Sequence, residues 1–91
     1  MIVVSQDGRF FTDSDRVDYW EVWPLRPEPS AGGYHIKVQV TGRDYYNLTL
    51  GHFRRLDDAV AELSRLAHMV AADSEMIYRV RQDENQGERT L

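Results

Sequence analysis

His35, His52 and His68 are the side chains in this 91-residue, cysteine-free sequence best suited to ligate a metal or move a proton near neutral pH. No two of them share a spacing that would bring them to one face of one element, as a metal pair requires. His35 falls in phase with the wet side of a strand, and His68 lies at the flank of a helical apolar stripe. A structural or solvated role is expected for each. No glycine-rich phosphate loop, nucleophile elbow or pair of catalytic carboxylates can be read. A chain this short is also expected to struggle to enclose a pocket of the usual ~300 Å³ or more. No catalytic residue, metal or cofactor is assigned, and a small enzyme of unrecognised type stands only as a third reading.

Two groups of residues could instead make contacts. Arg43, Tyr45, Arg54 and Arg55 could form a stacking platform with phosphate contacts, which defines a nucleic-acid-binding alternative. Against it, Tyr46 is in core phase, which leaves Tyr45 alone outward, and Asp57 and Asp58 already supply negative charge beside the arginines. Eleven basic against fifteen acidic residues give a net charge of −4, the wrong sign for neutralising many phosphates, so nucleic acid is a disfavoured partner. The second group is Tyr19, Glu21, Trp23, His35 and Lys37, a candidate surface for a protein partner. Tyr and Trp bury much area at little cost in rotamer freedom, which is why they dominate binding hot spots.

These residues must be positioned by a single small domain, with room for one sheet and one helix. In "MIVVSQDGRF", Asp7-Gly8 predicts a two-residue hairpin turn with Gln6 facing Arg9, Val4 facing Phe11 and Val3 facing Thr12. Ile2, Val4 and Phe11 are the core candidates there. Asp13-Ser14-Asp15 is turn chemistry, and a strand follows from about Val17 to Trp23. Arg26 to Gly33 holds two of the three prolines and two glycines, so it is a surface loop. Its "PLRPEP" has a Pro-x-x-Pro spacing, more commonly a stiffened loop than a ligand for an aromatic groove. Tyr34, Ile36, Val38 and Val40 then alternate with polar residues, a strand with one dry face. After a turn at residues 41–44, Tyr46, Leu48 and Leu50 continue that face, and Gly51 marks a strand end or a bulge because Phe53 falls out of phase.

From Leu56 the period becomes helical. Leu56, Val60, Leu63, Ala67 and Val70 form a stripe widened by Ala59 and Leu66, with Asp58, Glu62 and Arg65 opposite, toward solvent. The capping position, Arg55, offers no acceptor. "MIYRV" is a candidate extra strand with Met76, Tyr78 and Val80 on one side. The polar end has nothing to bury, so the domain is placed at residues 1–81 and a mobile tail at 82–91.

"MIVVSQDGRF" and "LGHFRRLDDAVAEL" resemble small uncharacterised bacterial and phage proteins. Those open with a short apolar strand ending in Ser-Gln-Asp and pass through a Gly-x-aromatic step into an acidic, alanine-containing helix. The two motifs cover roughly a quarter of the chain. The resemblance implies a meander of strands followed by one helix, and no activity. It also sets the phase of the third strand: Val17, Trp20 and Val22 turn inward after a local irregularity, leaving Tyr19, Glu21 and Trp23 outward. Trp23 is then either part of a contact patch or covered by the proline-rich loop.

The resulting expectation is an α+β fold, a curved antiparallel β-meander of about five strands in a partial barrel, packed on one C-terminal helix. Five strands at ~4.8 Å spacing span roughly 20–24 Å, whereas one helix covers about 10–12 Å, so the sheet must curl or be covered by another chain. The expected role is a non-enzymatic protein–protein interaction module, a homodimer or an inhibitor-like accessory of a phage or mobile element. A cytoplasmic location is the default, since the start has only four apolar residues before its turn and no stretch approaches a membrane span.

Overall fold

A computed structural model describes residues 1–25, 32–41, 47–72 and 76–84. The described residues form an α+β fold, with six strands in two sheets and one α-helix among them. Strands β1 (Ile2–Val4), β2 (Phe11–Asp13) and β6 (Ile77–Arg79) make one sheet in the order β2-β1-β6. Strands β3 (Val17–Pro24), β4 (Tyr34–Val40) and β5 (Asn47–Phe53) make the other, in sequence order. Helix α1 (Leu56–Ala71) packs on the second sheet. The expected five-stranded meander is therefore only approximate. The opening hairpin separates from it, and "MIYRV" does form a strand, which pairs parallel to β1. Among the described residues no helix is long and apolar enough to cross a membrane.

The hairpin has the expected register, Val4 opposite Phe11 and Val3 opposite Thr12. Its turn is longer than the two-residue form: the Gly8 amide donates to the Ser5 carbonyl at 2.9 Å, with Gly8 at φ 72°. Asp7 accepts from the Ser5 hydroxyl at 2.6 Å and from the Arg9 amide at 3.0 Å, so short polar side chains hold the turn. The inward face is the opposite of the expected one. Val3 is fully buried and Thr12 nearly so, whereas Ile2 and Val4 are half-buried and Phe11 is 68% exposed. Ile2, Val3 and Val4 are all apolar, so the run carries no alternation from which to choose a face.

Gln6 joins the two sheets. Its amide donates to the Leu50 carbonyl at 2.7 Å, its side-chain Oε1 accepts from the His52 amide at 2.8 Å, and its Nε2 donates to the His52 and Arg81 carbonyls. The Ser-Gln-Asp motif is thus a clasp: Ser5 and Asp7 shape the turn and Gln6 ties three segments together. Gln82 and Asp83, at the start of the stretch expected to be unanchored, take part as well. Gln82 donates to the Gln6 carbonyl at 2.6 Å, and buried Asp83 accepts from the Arg54 amide at 2.9 Å. The remainder of that stretch, 85–91, lies outside the described residues.

Asp13 Oδ1 accepts from the Asp15 amide and starts the expected turn, a single 3₁₀ turn over Ser14–Arg16. The irregularity expected at the start of β3 is a bulge between Val17 and Tyr19. Trp20 and Val22 then pack on the core, while Tyr19 and Trp23 turn outward. Ile36 and Val38 are fully buried from β4. Gly51 sits at a second bulge, where Ile36 pairs with Gly51 but Lys37 with Thr49. The extra residue restores Phe53 to the core and turns His52 outward. A Cβ on Gly51 would meet Val80 at 3.0 Å, so the bulge also lets the C-terminal segment approach.

The helix begins, as expected, at a capping residue with no side-chain bond, Arg55. Its buried face is rotated from the expected one. Ala59, Glu62 and Leu66 are buried, Leu63 and Val70 are partly covered, and Leu56 and Val60 are about half exposed. At ~100° per residue this is a turn of roughly 60° about the axis. Glu62, expected to face solvent, is 2% exposed.

Gly33 is demanded by geometry twice over. It has φ +85°, and an added Cβ would lie 2.6 Å from the Phe53 carbonyl oxygen, a backbone atom that cannot swing aside. Gly33→Ala is expected to cost about 2 kcal/mol or more in a denaturant melt, from left-handed strain plus the clash. Gly8→Ala has the same sign of φ but open space around it. It should cost less, and equal losses would show that the contact at Gly33 contributes nothing.

Candidate functional site

The outer face of the β3–β4–β5 sheet gathers all five residues singled out for a protein partner. Because side chains alternate along a strand, the pairs Tyr19–Gln39, Glu21–Lys37 and Trp23–His35 lie directly opposite one another on that face. β5 extends the rows, with Thr49 beside Lys37 and His52 beside His35. Tyr19 is 45% exposed and donates its hydroxyl to Gln39 Oε1 at 2.6 Å, which fixes the ring against the sheet. Trp23 is 48% exposed. The Lys37 ammonium lies 5.6 Å from the centre of its indole, a cation–π contact, although Lys37 pairs in register with Glu21. Pro27 and Pro29, which were candidates to cover the indole, lie outside the described residues.

His35 and His52 meet edge to face, with ring centres 5.3 Å apart. His52 Nε2 is 2.7 Å from the Gly32 carbonyl oxygen, so that nitrogen carries the proton in the arrangement that makes a hydrogen bond. Partial burial holds the His35 pKa below its usual value, helped by His52 and by the positive charge of Lys37. The face therefore favours a neutral His35 beside one ammonium and one carboxylate. Sequence reasoning missed Gln39 and His52. Gln39 had a signal, since it shares the strand phase of Lys37. The signal for His52 was Gly51, which turns it outward only when read as a bulge and not as a strand end.

The nucleic-acid alternative is not assembled as a surface among the described residues. Arg54 and Arg55 are exposed at the helix start, and Arg43 and Tyr45 lie outside the described residues. Among the described residues no three His, Asp or Glu side chains come together as a metal set.

Two open clefts flank the helix, neither of them an enclosed pocket. One, about 370 Å³, is lined by charged residues including Arg55, Asp58, Glu62, Arg65, Arg81 and Asp83. Its buried carboxylates are engaged in holding the fold. Glu62 Oε2 accepts from the Tyr78 hydroxyl and the Arg81 amide, both at 2.8 Å, while Oε1 pairs with Arg65 at 2.8 Å. Asp83 takes the Arg54 amide. The other cleft, about 390 Å³ and apolar, runs between Trp20 and the helix residues Leu63, Leu66, Ala67, Val70 and Ala71. Comparison with protein-family models, curated proteins and solved structures finds no match for this chain.

Proposed function

We propose that the protein is a non-enzymatic protein–protein interaction module whose contact face is the outer surface of β3 and β4. The observation that carries this is the exposure of Tyr19 and Trp23, 45% and 48%, on one face beside Glu21 and Lys37. Two large amphipathic rings held in place, one by a hydrogen bond and one under an ammonium, have little rotamer freedom left to lose on binding. The acidic net charge favours a partner with basic groups at the rim. The resemblance to small bacterial and phage proteins suits an accessory of a mobile element, as a homodimer or as an inhibitor of a larger protein.

Trp23→Ala tests this reading. The indole is half exposed, so its truncation should cost less than the roughly 3–5 kcal/mol of a buried Trp and leave the melting midpoint nearly unchanged. Against a captured partner it should cost about 2 kcal/mol or more, roughly 30-fold in affinity. The parent and Trp23→Ala proteins would each be immobilised and exposed to a bacterial extract. Expected is a protein held by the parent at high salt and lost from the variant, because aromatic packing survives salt that releases phosphate contacts. Identical retention by both would remove Trp23 from any interface, and a salt-labile nucleic acid held by the parent would favour the alternative.

A further inference from the structure

We propose that the free edge of β3 pairs antiparallel with the same edge of a second copy, centred on Val22, joining two three-stranded sheets into one of six strands with both helices on one side. This deepens the reading of the chain as a contact module, by naming one of its partners, and rests on it.

The edge is open in hydrogen-bonding terms. β3 is the terminal strand of its sheet, and the Leu25 amide donates to the Gly33 carbonyl at 2.9 Å. Since antiparallel bonding alternates, Trp23, Glu21 and Tyr19 turn their backbone groups to β4, and Trp20 and Val22 turn theirs away from it. No other described element bonds the outward groups of Trp20 and Val22. An eight-residue strand left open in this way is a template for pairing.

The helix is turned so that its uncovered apolar flank lies on the same side. Its other flank, through Glu62, is bonded to Tyr78 and Arg81 near β6. The cleft between Trp20 and Leu63, Leu66, Ala67, Val70 and Ala71 therefore opens beside β3. Exposed Val60 continues the same apolar flank. A two-fold axis perpendicular to the sheet keeps both helices on one face and brings the two flanks toward each other across it.

The register follows from chemistry. A two-fold axis must match inward with inward residues, so it passes through a residue. Centred on Glu21, it would set two carboxylates opposite each other, which is unfavourable. Centred on Trp20, it would draw the bulge at Asp18 into the ladder. Centred on Val22, it pairs Val22 with its own copy through two backbone bonds, and Trp20 with Pro24, whose carbonyl accepts from the Trp20 amide. Pro24 has no amide to satisfy. Glu21 then faces the second copy's Trp23, the ring over which that copy's Lys37 lies. The charges are complementary twice by symmetry, and exposed Leu25 packs beside Tyr19 of the other copy.

The test is sedimentation of the full chain over a concentration series, with amide exchange as the local readout. The parent should dimerise, and the Trp20 and Val22 amides should exchange more slowly as the dimer forms. Ala67→Glu places a charge on an exposed helical position and should leave the melt in dilute protein unchanged while raising the dissociation constant about tenfold or more. Glu21→Lys should weaken the dimer, and adding Lys37→Glu should restore it. A parent that stays monomeric at every concentration overturns the proposal, as does a dimer in which the Trp20 and Val22 amides exchange as in the monomer. Protection of those amides only on adding another protein would also overturn it, in favour of a heterologous strand. Failure here with Trp23→Ala still losing a captured protein would leave the contact-face reading standing.

Discussion

Glu62→Ala is expected to destabilise the fold by roughly 2–4 kcal/mol, the outcome that the apolar periodicity of the helix would assign to a leucine. Glu62 is 2% exposed, and its carboxylate receives the Tyr78 hydroxyl and the Arg81 amide at 2.8 Å each, plus the Arg65 guanidinium. A hydrogen bond to a charged acceptor contributes about 1.5–3 kcal/mol, and a buried donor left unpaired costs about 1–3 kcal/mol. Against this, alanine escapes the desolvation cost of the carboxylate. Arg65, with its side chain 40% exposed, can turn to water once its partner is gone. The bonds to Tyr78 and Arg81 decide the sign because they tie the helix to the C-terminal segment. Glu62→Gln keeps acceptor oxygen without charge and should lose less. A second readout is alkaline stability. The Tyr78 phenol is pushed up to about 12 by burial first, then by its bond to Glu62 and the Glu62 charge. A raised pKa means stability present in full below about pH 10, the unfolded value, and lost as pH rises through the folded value near 12. In Glu62→Ala that alkaline loss should shrink. A melt of Glu62→Ala indistinguishable from the parent would show that the carboxylate is not bound as described.

Much of the β3–β4–β5 sheet was legible because its strands alternate. Ile36 and Val38 against Lys37 and Gln39 leave one choice of face, whereas the phase of Trp20 and Val22 came with the resemblance and is the one found beyond the bulge before Tyr19. His35 and Lys37 fall on the outer face by the same alternation, and Tyr19, Glu21 and Trp23 by the phase that the resemblance set. Illegible parts were those without a period. Ile2, Val3 and Val4 offer three apolar side chains for two faces, and Val3 is the one that faces the core with Ile36 and Leu50. The parallel partner β6 comes from the far end of the chain, and no local signal announces a pairing across more than seventy positions. Helix α1 shows how a tertiary bond overrides a local pattern. An acid among apolar residues reads as solvent-facing, yet the part-buried bonds from Tyr78 and Arg81 draw it inward and rotate the whole stripe. Rotation in turn exposes Leu56 and Val60 and opens the cleft beside Trp20, so the misjudged acid and the proposed dimer edge have one cause.

Leu66→Ala should cost roughly 2–5 kcal/mol, whereas Leu63→Ala should cost about 1–2 kcal/mol in dilute protein. The apolar stripe read from sequence places Leu63 at its centre and expects the larger loss there. Leu66 is 1% exposed and belongs to the core with Ile36, Val38 and Leu50, so its removal leaves a cavity that the sheet cannot collapse to fill. Leu63 is only partly covered and lines the open cleft, where water can take the vacated space and limit the penalty. Both residues line that cleft, but from different depths, which makes them a matched pair: same helix, same deletion, different burial. Denaturant melts at low protein concentration isolate the folding term, because a dimer contributes stability only as it populates. Raising the concentration should then narrow the gap between the two variants. Parent and Leu66→Ala would gain stability with concentration, while Leu63→Ala, having lost apolar contact across the two-fold axis, would gain less. A larger loss for Leu63→Ala than for Leu66→Ala in dilute protein would mean that the helix faces the sheet as its apolar spacing first suggests, and would close the cleft on which the β3-edge pairing depends.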